Sequence, residues 1–204
     1  MAKITKIAIG GGPCGGKTLI LLRLQSDRDI SRESVFCPEM AQMFLDKNFP
    51  RSTPGSIFYE RQLHLFQRAV ASSQIVFEQA MINLAMEKGK RLVTCDRGVL
   101  DGAAYVGSIE KLCELCGLDA QKILASYDCV IHMETLAIAE PEIYRQSGRS
   151  ESVEEAIRLD KEIKRAWQYH PNRLIIPSHL STDEKFDRVK EKILQVLSAS
   201  CKKS

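Results

Sequence analysis

The sequence predicts an α/β fold, a parallel β-sheet with helices packed on both faces. Two observations predict it. Short apolar, β-rich runs alternate with longer amphipathic segments along the whole chain. A segment crowded with glycine, "GGGPCGGKTL", stands between the first such run and the first helix.

Taken in order, "ITKIAIG" reads as the first strand and "KTLILLRLQSD" as a helix with a broad apolar face. "SVFCPE" reads as a second strand ended by Pro38. The loop "NFPRSTPGS" follows, marked by Pro50, Pro54 and Gly55. The longest periodic segment runs from about residue 56 to 88, and Gly89 closes it. Its apolar positions, among them Phe58, Leu65, Phe66, Val70, Val76 and Phe77, predict the buried face, with Gln62 and Ser73 on the same side. "RLVTCD", "CVIHME" and "RLIIPS" are the third, fourth and fifth strands. Between the last two lies the helix "ESVEEAIRLDKEIKRAWQYH", opened by a capping box of Ser152 and Glu155. A final amphipathic helix covers about 183 to 197.

Composition narrows the function. A chain of 204 residues with 44% hydrophobic and 27% charged residues suits one globular domain spanning 1–204 with a sizeable core. The net charge is +3, and no basic stripe is interleaved with aromatics, so no nucleic-acid partner is expected. No apolar run approaches the ~18 residues of a membrane span, and "MAKITKIAIGGG" lacks the apolar length of a signal peptide. The seven cysteines are an odd number, with Cys37, Cys95 and Cys129 in apolar runs, which points to a reducing, cytoplasmic setting. Cys113 and Cys116 form a C-x-x-C with no second pair at zinc spacing, on an amphipathic helix, and read as core packing.

From Gly11 the glycine segment spells Gly-x-x-x-x-Gly-Lys-Thr, after a strand and before a helix, the context of a phosphate-binding P-loop. Bare backbone lets N–H groups converge on phosphate oxygens. Gly11, Gly12, Pro13, Cys14, Gly15, Gly16, Lys17, Thr18 and Leu19 are therefore the predicted nucleotide-binding residues, with Lys17 on the β- and γ-phosphates and Thr18 on Mg²⁺. Mg²⁺ calls for a carboxylate at a strand end. Asp96 and Glu134 both qualify, and Asp96 is favoured because it opens a second glycine-bearing loop, "DRGVLDGAAY", with Arg97. Asp101, in that loop, fits a substrate contact or a cap on the next helix equally well. Glu39 fits a base that takes the proton of an attacking hydroxyl, or a helix cap. Arg145 and Arg149 flank Gly148 in a predicted lid, about 138–151, where they would neutralise a transferring phosphoryl group. Asp160 sits on an apolar stripe and needs a partner, for which a lid arginine is one candidate. Arg61 and Gln62 on the long helix are candidates for the acceptor wall, and His170 is the one histidine near a loop that could touch nucleotide.

The segments "GGGPCGGKT", "PEMAQ", "CDRGVLDGAAY" and "YRQSGRSESVEEAIRLD…W…HPN", in this order, resemble the NadR-like P-loop group of AAA-type ATPases, whose members include a ribosylnicotinamide kinase domain. The resemblance spans nearly the whole chain. It implies an adenylate-kinase-like core, a three-layer sandwich with a five-stranded parallel sheet in the order 2-3-1-4-5, a lid, and ATP or GTP with Mg²⁺. The chain is more loosely similar to deoxynucleoside kinases, whose acid after strand two and acid-arginine pair after strand three match Glu39 and Asp96-Arg97. It lacks the sensor region and C-terminal helical domain of ring ATPases, so no oligomeric motor is implied. The expected function is a kinase moving the γ-phosphoryl group to a hydroxyl of a small metabolite, of which a nucleoside is one candidate. The alternative is a nucleotide-dependent regulatory binder with slow hydrolysis. The absence of an N-K-x-D stretch favours ATP over GTP.

Overall fold

The computed structural model describes residues 3–50 and 55–201; the turn signal at Pro54 and the basic tail after Cys201 lie outside them. β1 (Thr5–Gly11) runs through the glycine loop into α1 (Lys17–Ser26). α2 (Arg28–Glu33), not foreseen from the apolar pattern, is short and opens on Asp27, whose carboxylate accepts from the Asp29 and Ile30 amides. Then come β2 (Ser34–Cys37), α3 (Met40–Asp46), α4 (Tyr59–Glu87) and β3 (Leu92–Asp96). A 3₁₀ turn (Val99–Gly102) leads into α5 (Ala103–Val106), α6 (Ile109–Cys116) and α7 (Ala120–Ala125). β4 (Cys129–Met133), α8 (Leu136–Ala139), α9 (Pro141–Arg145), α10 (Val153–Ala166), β5 (Arg173–Ile176) and α11 (Thr182–Cys201) complete the order.

The five strands are all parallel in the order β2-β3-β1-β4-β5. Both faces are covered, so the strands turn apolar residues to both sides rather than alternating apolar with exposed polar ones. Ile7, Ile9, Ile131 and Met133 point to a core shared with Ile20, Leu24 of α1 and Ile193 of α11. Ala8, Val93, Cys95 and Val130 point to the opposite core, under α4, α5 and α10. The pairs Ile9↔Asp96 and Gly11↔Met133 bring the ends of β3, β1 and β4 to one edge. That edge carries the ligand crevice in open parallel sheets.

Two expectations change here. α4 does not bury the stripe its apolar residues suggest: Leu65 and Val76 are exposed, while Gln67, Gln74 and Glu78 are buried. Glu78 accepts from Lys6 Nζ at 2.6 Å, Tyr127 Oη at 2.6 Å and Gln74 Nε2 at 2.8 Å, so its charge is satisfied inside. His170 precedes β5 and therefore sits at the sheet edge away from the glycine loop. Its ring nitrogens lie 3.0 Å from Asn172 O and 2.9 Å from Tyr127 O, a structural role. Among the described residues no helix is long and apolar enough to cross a membrane.

Candidate active site

The glycine loop is shaped as much by its own protein as by what it could bind. Gly11 has φ +129°, and a Cβ there would stand 2.0 Å from the Met133 carbonyl oxygen. No side chain fits that approach. α1 is preceded at its N-cap by Gly16, which offers no side-chain cap. The first-turn amides, beginning with Lys17 and Thr18, are thus left without intrahelical partners, and they face the crevice as an anion site. Lys17 is buried, and its Nζ donates to Gly12 O at 2.8 Å and Gly11 O at 3.1 Å. Burial, and then the charge of Arg97, lower the Lys17 ammonium to about 8 against the pull of Glu39, Asp96 and Asp101. Phosphate oxygens arriving here would replace the two carbonyls as its partners.

Pro13 to Leu19 line a cavity of about 790 Å³, together with Glu39, Asp96, Arg97 and Arg149. Gly11 and Gly12 lie beneath the loop and do not line it. A second cavity of about 210 Å³ lies between α3, α4 and the loop after β3, lined among others by Met40, Phe66, Gln67, Gln74 and Asp101. Glu39, Gln42, Arg97, Tyr105, Arg149 and Glu151 line both. The two compartments therefore share one wall.

That wall is built on Arg97, whose backbone takes the left-handed conformation at φ +70°. A non-glycine residue there is a strained position of the kind that clusters at ligand sites. The strain is supported on both sides: Arg97 N donates to Ile9 O, and Gln74 Nε2 lies 3.4 Å from Arg97 O. Its guanidinium donates to Glu39 Oε1 at 2.6 Å and Gly11 O at 3.2 Å, and lies 3.5 Å from Asp101 Oδ2. Burial opposes the charge of Arg97, but Tyr105, Glu39 and Asp101 outweigh it and hold the guanidinium's pKa above its ordinary value. Glu39 stands at the N-cap position of α3, yet its side chain makes no cap and turns to Arg97 instead. Asp101 also caps nothing: it is buried in the 3₁₀ turn and accepts from Trp167 Nε1 at 2.7 Å.

Asp96 ends β3 with Oδ1 buried and without a hydrogen-bond partner. Burial first, and then the charge of Glu39, push its carboxyl from 3.8 to about 6. A buried, orphaned carboxylate oxygen on a residue that lines the same cavity as Thr18 fits a hard divalent cation. Among the described residues no group of three or more His, Cys, Asp or Glu side chains could hold a metal by itself. Asp96 and Thr18 would accordingly share such an ion with water and phosphate. Glu134, the other strand-end acid, is engaged on the β5 side by Lys164 Nζ at 2.7 Å and Ser178 N at 3.3 Å.

The structure does not bring all the remaining candidates together. Arg149 reaches both cavities. Arg145 lines neither, and it pairs with Glu142 one turn back on α9. Arg61 lines a separate surface hollow with His64, Arg68 and Leu115. Gln62 keeps a buried, unpartnered Oε1 but lines neither of the two joined cavities. Sequence reasoning passed over Gln67, Gln74, Tyr105 and Glu151. The glutamines and Glu151 look solvent-facing in the sequence and carry no signal there, whereas Tyr105 stands in the loop that Asp96 opens.

A family model described as an AAA domain matches residues 6–185. None of the curated proteins matches the sequence significantly. Among solved structures, deoxyadenosine kinase from M. mycoides with bound dATP superposes with a TM-score of 0.57 at 15% identity, covering 93% of this chain and 98% of that one. At that identity the likeness is one of fold.

Proposed function

The chain belongs to this AAA-domain family of P-loop NTPases, and from that premise we propose that it is an ATP- and Mg²⁺-dependent kinase that phosphorylates a hydroxyl of a small, nucleoside-like acceptor. The observation that carries the reading is the shared wall. A second compartment opens onto the phosphate-binding cavity at Glu39 and Arg97, where an acceptor hydroxyl would meet a γ-phosphate. The nucleoside kinase with the same fold supports it by likeness.

In this reading the amides of residues 15–19 and Lys17 hold the β- and γ-phosphates. Mg²⁺, held by Thr18 and Asp96, would supply charge neutralisation on the phosphate oxygens. Glu39 accepts the proton of the acceptor hydroxyl as its oxygen bonds to the γ-phosphorus, and the bond from that phosphorus to the β–γ bridging oxygen breaks to release ADP. Arg97 fixes the Glu39 carboxylate by the 2.6 Å bond. Arg149 lines both cavities and would meet the charge that develops on the transferring group.

The test is ADP formation across a metabolite panel rich in nucleosides and other polyols. At least one acceptor should stimulate it, and Glu39→Gln should remove that stimulation while leaving MgATP binding. If no acceptor stimulates ADP formation, the reading of a nucleotide-dependent regulatory binder replaces this one.

A further inference from the structure

Asp160 is fully buried on α10, the helix that continues from the lid segment. It does not pair with an arginine. Its Oδ1 accepts from Thr135 N at 2.9 Å and Gly12 N at 3.2 Å, and lies 3.0 Å from His132 Nε2. Burial alone would raise its carboxyl, but the hydrogen bond and charge of His132 and the Thr135 amide overcome this and hold it below the ordinary carboxylate value. The Gly12 amide is thus turned into the protein, away from the cavity that begins at Pro13. The fit is tight: a Cβ on Gly12 would stand 2.8 Å from Asp160 Oδ1 and 2.9 Å from Thr135 Cβ. Thr135 Oγ1 closes the clamp by donating to Pro13 O at 2.5 Å.

The same face of α10 carries two more contacts of this kind. Residues at i, i+4 and i+7 share one side of a helix. Lys164 Nζ binds Glu134 at the end of β4 and lies 3.5 Å from Asp160 Oδ2. Trp167, just past the helix end, donates to Asp101 Oδ1 and packs so closely on the loop after β3 that a Cβ on Gly98 would stand 2.4 Å from its ring. At the start of α10, Val153 and Ala156 pack with Tyr144 of α9 and with Cys14 at the tip of the glycine loop. One helix therefore touches the lid, the phosphate loop and the loop carrying Asp96 to Asp101.

We infer that α10 ties the lid segment, packed on its first turn at Val153 and Ala156, to the phosphate loop, with Asp160 as a positioning residue that holds the loop in its phosphate-binding shape through Gly12. This rests on the nucleotide-binding part of the proposed function and not on the identity of any acceptor. A ligand that orders the loop gives up less freedom if α10 already holds Gly12, and in return it quiets α10. The reciprocity is required by linkage.

The experiment is hydrogen exchange and calorimetry on the full chain with MgATP as the probe. In the parent, MgATP should slow exchange both in residues 10–18 and in residues 153–166. Asp160→Asn should bind MgATP about tenfold or more weakly, the scale of one charge-assisted hydrogen bond. At saturating MgATP it should still protect residues 10–18 but no longer residues 153–166. A residue that only stabilised the fold would not separate these two segments. If the asparagine variant fails to fold, Thr135→Val, which removes the bond to Pro13, should show the same separation. Parental affinity with both segments protected, in whichever variant folds, overturns the inference. A parent that binds no MgATP would overturn the proposed function itself, and the inference with it.

Discussion

Asp96→Asn should make the protein more stable while removing its Mg²⁺-dependent activity. Raising a carboxyl from 3.8 to about 6 means the charged form is disfavoured in the folded chain by about 3 kcal/mol at most. Partial access of water to the carboxylate reduces this to about 1–3 kcal/mol. The sign follows from the direction of the shift. The folded state holds this proton more tightly than the unfolded state, so Asp96 costs nothing well below pH 3.8, costs progressively more from there to about pH 6, and costs its full amount above. An uncharged asparagine escapes the cost. Chemical denaturation of the nucleotide-free protein in a chelator should show the variant more stable by that amount at pH 8, about 2–12 °C in Tm for a chain of this size. The gap should shrink to about 0.5 kcal/mol by pH 4. With MgATP the order should reverse, because the parent gains stability from ligand binding and the variant gains less. A variant less stable than the parent at pH 8, or a gap equal at pH 4 and pH 8, would refute the assignment of Asp96 as a strained, ion-ready carboxylate.

Lys17→Ala should lose about tenfold to a hundredfold in MgATP affinity by calorimetry, since a charged donor typically contributes ~1.5–3 kcal/mol; equal affinities would remove the P-loop assignment. Cys14, half-buried at the loop tip with Sγ 3.5 Å from Ser147 Oγ, should be alkylated more slowly when MgATP is bound, and an unchanged labelling rate by peptide mapping would place it outside the nucleotide contact. Arg149→Ala should lower acceptor-dependent kcat by about a hundredfold with little change in MgATP affinity, because its contact forms where charge develops in the transition state. Unchanged turnover would take Arg149 out of the reaction.

The strands and the phosphate loop were legible because their signals are local or periodic, whereas the strand order followed only from the family resemblance. "RLVTCD" and "CVIHME" are short, mostly apolar runs that end on an acid, and Gly-x-x-x-x-Gly-Lys-Thr carries its own context. What stayed hidden depends on partners far away in sequence. The charge of Asp160 on an apolar stripe announced a buried contact, but the partner is the amide of Gly12, 148 residues away, which no side-chain pattern marks. The inward face of α4 was misread for the same reason. Glu78 and Gln74 look solvent-facing until Lys6, Tyr127 and the Arg97 carbonyl are placed beside them, and once they turn inward Leu65 and Val76 must turn out. Two of the glycines were attributed to phosphate alone. Gly11 and Gly12 are bare because the Met133 carbonyl and the Asp160 carboxylate press against them.

In a kinase of this design the phosphoryl group passes to an acceptor held behind Glu39. The most direct measurement follows the label of γ-³²P-ATP into products, with the acceptor that best stimulates ADP formation and with none. Most of the label should appear on the acceptor hydroxyl, one label per ADP formed, and Glu39→Gln should abolish this transfer. Label found only in inorganic phosphate, at a rate indifferent to every acceptor and to Glu39, would contradict it.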